Sequence, residues 1–240
     1  MKGGVHLFLQ MKQLSECAVL VYVSEAISEQ KHARIQHVMQ QIQAQQMQGI
    51  VEIVNGYTNV CIYYDSVMMK KQLAHMTGNT TGQKVMTWLR EVLQQPTSAV
   101  EQTGRTIDIP VYYGGEYGPD LAYVAAHHNM TEQQVIDIHT SGNYFVHMLG
   151  FAPGFPFLGG LDARIATPRK ETPRLFIEAG SVGIAGTQTG VYPLATPGGW
   201  QIIGRTMLPL FLPNETPPTL LRAGDRVRFV AVKEDQSCYL

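Results

Sequence analysis

GNYFVHMLGFAPGFPFLGGLDARIATPRKETPRLFIEAGSVGIAGTQTGVYPLATPGGWQIIG, residues 142–204, holds 12 of the chain's 23 glycines and 6 of its 13 prolines. Short β-forming runs survive between these breaks: Tyr144–Leu149, Leu175–Ile177, Ser181–Ala185 and Trp200–Ile203. Glycine supplies the positive φ of tight turns, and proline stops a run from continuing. Many short, punctuated strands therefore predict a closed or sandwich-like β domain. Val227–Val232 adds a final β run. Just upstream, Pro119 and Asp120 open a predicted helix over Gly118–His127. Thr131 and Gln134 form a capping-box pattern for a second helix ending near His139.

The first hundred residues have a different texture. Ala18–Val23 is a short apolar run that reads as a buried strand. In Ser28–Met47, Ile35, Val38, Met39 and Ile42 fall at helical spacing, and Gly49 supplies a stop. Ile50–Val54 and Asn59–Tyr64 read as strands joined through Asn55-Gly56, a strong hairpin signal. A second amphipathic helix covers Gln83–Leu93, with Val85, Trp88, Leu89, Val92 and Leu93 as its stripe. This β-α-β-β-α order, with a further strand at Thr106–Tyr113, matches a split βαβ, ferredoxin-like unit; that last strand can equally open the next domain. The chain is expected to divide near residues 96–105, where Gln94-Gln95-Pro96 ends a helix and Thr97–Gly104 has no periodicity. Domains over 1–100 and 101–240 follow.

Composition narrows the function. With 45% hydrophobic and 15% charged residues, the 240-residue chain is no disordered segment. Its 18 basic and 19 acidic side chains give a net charge of −1, so it lacks the basic footprint of a nucleic-acid binder. Low charge and near neutrality favour association with a partner. Three cysteines, Cys17, Cys61 and Cys238, have no CxxC spacing and predict neither a disulfide framework nor a metal site. The N-terminal apolar stretch is too short for a signal peptide and no run reaches membrane-span length, which predicts a cytoplasmic protein.

Several stretches carry groups capable of chemistry. Gly150–Asp162 spaces Phe151, Phe155 and Phe157 with glycines and prolines, giving either a ligand slot, a partner surface or a plug for one end of a barrel. In Thr167–Arg174 two prolines hold the backbone extended and display Arg169, Lys170 and Arg174. Clustered guanidiniums suit carboxylates or phosphates. The same loop can instead be solvated and neutralised by Asp162 and Glu171. Ala179–Pro193 has neither a dinucleotide nor a phosphate-loop pattern, although its turns can offer amides to an anion. His139 ends a helix before the glycine-rich region, open to a general-base role or to packing. No catalytic dyad is identifiable from spacing.

Taken together, GFAPGFPFLGGLD, TPRKETPR, AGSVGIAGTQTGVYP and TPGGWQIIGRT resemble the 5-oxoprolinase B-subunit family, also called KipI-type kinase inhibitors or allophanate hydrolase subunit 1. PVYYGGEYGPDL at 110–121 and LLRAGDRVRFV at 220–230 extend the resemblance over most of the chain. It implies a small α/β domain followed by a cyclophilin-like β-barrel. It also implies work beside subunits C and A that opens 5-oxoproline to glutamate with ATP and magnesium, this chain being inactive alone. Some family members resemble inhibitors that bind a sensor histidine kinase. One departure is Glu178, where the family usually shows proline. On this reading Arg169, Arg174 and Arg205 line one anion-accepting groove with Gln188, Tyr192, Phe155 and Phe157, walled by Trp200.

Overall fold

A computed structural model describes residues 10–23, 28–95 and 104–233. It divides into two compact units, 1–102 and 103–240. Most of the predicted joining segment, and Cys238, lie outside the described residues.

The smaller unit is a four-stranded antiparallel sheet with helices. Its strands are β1 (Met11–Ser15), β2 (Ala18–Tyr22), β3 (Ile50–Asn55) and β4 (Asn59–Tyr64), in the order β1-β2-β4-β3. The helices are α1 (Glu29–Ala44), α2 (Ser66–Gln72) and α3 (Thr81–Gln94). Ser28 accepts from the Lys31 amide at the start of α1, and Thr80 with Gln83 closes a capping box on α3. The helical stripes Ile35, Val38, Ile42 and Val85, Trp88, Leu89, Val92 meet Val19, Val21, Val60 and Ile62 of the sheet in one buried cluster.

One part of the ferredoxin-like expectation needs correction. β4 does lie between β2 and β3, as a split βαβ requires, but the strand at Thr106–Tyr113 does not complete this sheet. β1 takes the fourth place. Its sequence MKQLS carries too few apolar residues to announce a strand.

Thr106–Tyr113 is β5 of the larger unit, with β6 (Tyr144–Leu149), β7 (Pro156–Gly159), β8 (Arg174–Ile177), β9 (Ser181–Ala185), β10 (Gln188–Val191), β11 (Thr196–Gly198), β12 (Gln201–Arg205) and β13 (Arg226–Ala231). Seven of them close a barrel in the order β10-β7-β6-β13-β5-β12-β9. β13 runs parallel to β5, and the other neighbours are antiparallel. Closure removes the exposed edges that short strands otherwise present. The helices α4 (Leu121–His127) and α5 (Glu132–Ser141) precede β6, and α5 starts on the Thr131–Gln134 capping box. Ile109, Val111, Val146, Leu158, Ile184 and Val227 fill the interior with Val124 and Val135 of the helices. β8 and β11 form a separate two-stranded ribbon. A second apolar cluster lies apart from the barrel core: Phe155, Ile177, Ala185, Tyr192, Trp200 and Ile202.

Candidate functional site

The basic loop is held in place by backbone before any charge is considered. The Gly186 amide donates to the Thr167 carbonyl at 2.8 Å, the Lys170 amide to Gly199 at 2.7 Å, and the Gln201 side chain to the Pro168 carbonyl at 2.9 Å. Asp120, the residue before α4, then anchors its far end. Arg174 grips the Asp120 carboxylate with two bonds of 2.7 Å, the Ile202 amide donates to it at 2.7 Å, and Lys170 lies at 3.2 Å. Burial raises the Asp120 carboxyl, but the donors from Arg174, Ile202 and Lys170 outweigh it and hold the group below its ordinary range. Asp120 is therefore buried, ionised and fully partnered. The neutralisation expected from Asp162 does not reach this loop, because Asp162 pairs with Arg164 at 2.7 Å.

The predicted single groove is instead two cavities. Arg174 and Arg205 face the larger one, about 560 Å³, with Glu116, Glu178, Ser181, Phe176 and Met207. Arg205 is also occupied, paired to Glu178 and donating to the Ala179 carbonyl at 3.0 Å. Both arginines on this side already have carboxylate partners. Gln188 begins β10 and is not among the residues lining either cavity.

Arg169 differs. Among the described residues no carboxylate lies within salt-bridge distance of it, and its guanidinium sits 5.9 Å from the centre of the Trp200 ring. A cation over an indole face gains roughly 0.5–1 kcal/mol at an exposed site and keeps its donors for an anion. Beside it lies a cavity of about 270 Å³ lined by Phe151, Phe155, Phe157, Tyr192, Trp200 and Gly198 among others. Phe155 is the hub, with ring centres 5.2 Å from Tyr192 and 5.4 Å from Trp200, both near-perpendicular. Gly198 is required here, since a Cβ would strike the Tyr192 hydroxyl. Phe151, at φ 70°, is an outlier for a bulky residue and stands 68% exposed. Burial pushes the Tyr192 phenol up to about 12 against the Trp200 amide and the nearby arginines. It stays a neutral O–H donor at physiological pH.

His139 has no access to either cavity. It is wholly buried, with Nδ1 2.7 Å from the Tyr113 hydroxyl and Nε2 3.0 Å from Thr189 Oγ1. Thr189 donates its own proton to the Gly183 carbonyl, so it accepts from Nε2–H, and Nδ1 accepts from Tyr113. Both ring nitrogens are satisfied in the neutral tautomer. Burial drives the imidazole down to about 3. His139 packs a helix end, and a general-base role has no geometry to support it.

The chain matches the family described as carboxyltransferase domain, subdomain C and D, over residues 9–221. It is 48% identical over 225 residues to the B subunit of 5-oxoprolinase from Bacillus subtilis (strain 168), covering 94% of this chain and 93% of that one. The chain belongs to the 5-oxoprolinase B-subunit family. The protein of the same name from Escherichia coli O157:H7 is 43% identical over 221 residues, or 92% of this chain and 95% of its own length. Among solved structures, TTHA0988 superposes with a TM-score of 0.74 at 30% identity, over 93% of this chain and 40% of that one. The fold of this 5-oxoprolinase family member is thus also found within a longer polypeptide.

Sequence reasoning misses Asp120, the residue that decides what Arg174 does. Its position reads as a helix opener, yet it makes no side-chain cap bond to α4. No local signal marks its real task, because Lys170 and Arg174 lie 50 and 54 residues further along the chain.

Among the described residues no group of three or more His, Cys, Asp and Glu side chains is placed to hold a metal ion, and no helix is long and apolar enough to cross a membrane.

Proposed function

We propose that this chain is the B subunit of an ATP-dependent 5-oxoprolinase that opens 5-oxo-L-proline to L-glutamate in the cytoplasm, together with subunits C and A. In fold terms we read its barrel as cyclophilin-like and its small unit as a ferredoxin-like variant with β1 at the edge. The observation that carries the reading is an unneutralised guanidinium, Arg169, at an aromatic cavity that contains no acid–base pair. Such a site binds a small anion. It does not by itself move the protons that ring opening needs.

ATP and its magnesium do not fit the residues described. The cavity beside Arg169 holds about 270 Å³ and one cation, and in the larger cavity both arginines are already paired with carboxylates. A triphosphate is gripped by several free donors and cations. We therefore place the nucleotide on the partner subunits and give this chain the tasks of binding the carboxylate-bearing lactam and shielding it from water. The relatives are named as one subunit of an enzyme, which supports partners, and so does the occurrence of this fold as 40% of a longer chain.

The test is 5-oxoproline-dependent ATP hydrolysis by the chain alone, with each partner, and with both. Turnover only with the full set is the expected result. Robust glutamate formation from the single purified chain would overturn the reading, as would its absence from every mixture.

A further inference from the structure

We infer that the aromatic cavity admits the closed ring of a small cyclic carboxylate and excludes the opened chain, so that this subunit distinguishes substrate from product. The inference rests on the 5-oxoprolinase reading and specifies where, and by what selectivity, the substrate is met.

Size comes first. Pockets for drug-sized ligands run to roughly 300–1,000 Å³, and this one, at about 270 Å³, suits something smaller. Charge comes second. Of the ten residues lining the cavity only Arg169 is a cation, and none is acidic. One carboxylate is therefore matched, at the rim, by a guanidinium that no carboxylate of the described residues pairs with. The remaining walls are the rings of Phe155, Phe157, Tyr192 and Trp200, which suit a flat, uncharged body. Third, Tyr192 lines the cavity, and burial keeps its phenol protonated, so the hydroxyl has a proton to give. A lactam carbonyl is an acceptor of the right kind.

The opened product has the opposite profile. It keeps the first carboxylate and gains a second one together with an ammonium. The second carboxylate finds no further cation among the lining residues, and bringing it unpaired against the electron-rich faces of aromatic rings is costly. The ring that fits the walls is also gone. Ring opening thus converts a matched ligand into a mismatched one, and the product leaves.

Calorimetric titration of the full chain with 5-oxo-L-proline and with L-glutamate tests this, for the wild type and for Arg169→Ala. The expected result is 5-oxoproline binding at least about tenfold tighter than glutamate, and a loss of about 10- to 150-fold for 5-oxoproline in the variant with an unchanged melting temperature. Absence of 5-oxoproline binding, equal binding of glutamate, or an unmoved affinity in Arg169→Ala overturns the inference. The enzymatic reading is scored separately by turnover of the assembled subunits. Turnover with a KM that Arg169→Ala does not change removes this site and leaves the function. Ring-selective binding lost in the variant, without turnover in any mixture, does the reverse.

Discussion

The polar groups of the larger unit fall into two regions with opposite logic. In the barrel and along its Asp120 anchor, the buried titratable groups His139 and Asp120 are fully partnered: His139 between Tyr113 and Thr189, Asp120 among Arg174, Lys170 and the Ile202 amide. In the aromatic cluster, only a few residues away along the same loop, Arg169 stands over Trp200 with no carboxylate partner among the described residues. Arg169 and Arg174 are the same residue type, each closing a Thr-Pro-Arg triplet, yet one holds the fold and the other faces a cavity. Satisfaction, more than residue identity, separates structure from site here.

Three variants or conditions probe that contrast. The largest effect is expected from Asp120→Ala. It strands Arg174 and Lys170 and removes the acceptor of the Ile202 amide, a change of the kind that costs about 3–5 kcal/mol when a buried pair is broken. Because both cations keep partial access to water, the lower end, about 3 kcal/mol, is expected in urea unfolding. A loss below roughly 0.5 kcal/mol, the usual range of surface substitutions, would dissolve the distinction between anchor and surface.

Next comes acid. The folded His139 is held far below its unfolded value of about 6.5, so in the window between there and about 3 the unfolded chain binds a proton that the folded chain does not. Stability due to this group is fully present above the unfolded value and falls as pH drops through that window, by at most about 1.4 kcal/mol per pH unit. Asp120 adds a further loss only as pH falls from the ordinary carboxylate range into its own lowered one. Unfolding free energies measured from neutral pH down to about pH 4 should slope downward, and His139→Gln should flatten the slope. An unchanged slope in that variant would mean the imidazole is not the neutral core group the geometry describes.

The smallest effect belongs to the cavity's hydroxyl. Tyr192→Phe removes one neutral hydrogen bond, about 0.5–1.5 kcal/mol, and should weaken 5-oxoproline about two- to tenfold. The ring remains, so packing against Phe155 and Trp200 is preserved. Titration of the variant checks it, and tighter binding would remove the hydroxyl from the site.

Local signals account for the parts of the fold that are legible in sequence. Ser28, Thr80 and Thr131 sit at helix starts because their side chains accept from amides three residues on, a pattern written within one turn. Asn55-Gly56 announces the β3–β4 hairpin, and the glycine and proline breaks of 142–204 announce the short barrel strands. β1 and α2 stay invisible because MKQLS and SVMMKKQ are short and carry little periodicity. The aromatic and basic stretches are legible as neighbours of a cavity. Their division between two cavities is not, since it turns on Asp120 meeting Arg174 across 54 residues of chain, and no local spacing encodes such a pairing. Arg205 is diverted in the same way by Glu178, which lies on a different part of the chain.

If satisfaction is what separates the two regions, then Arg169 serves a ligand and Arg174 serves the fold. Thermal unfolding and 5-oxo-L-proline titration of Arg169→Ala and Arg174→Ala, run side by side on the full chain, test this directly. Arg169→Ala should keep its melting temperature and lose affinity about 10- to 150-fold, while Arg174→Ala should melt earlier because Asp120 loses its bidentate partner. Equal losses of affinity at unchanged melting temperature in both variants would contradict the division and restore a single groove.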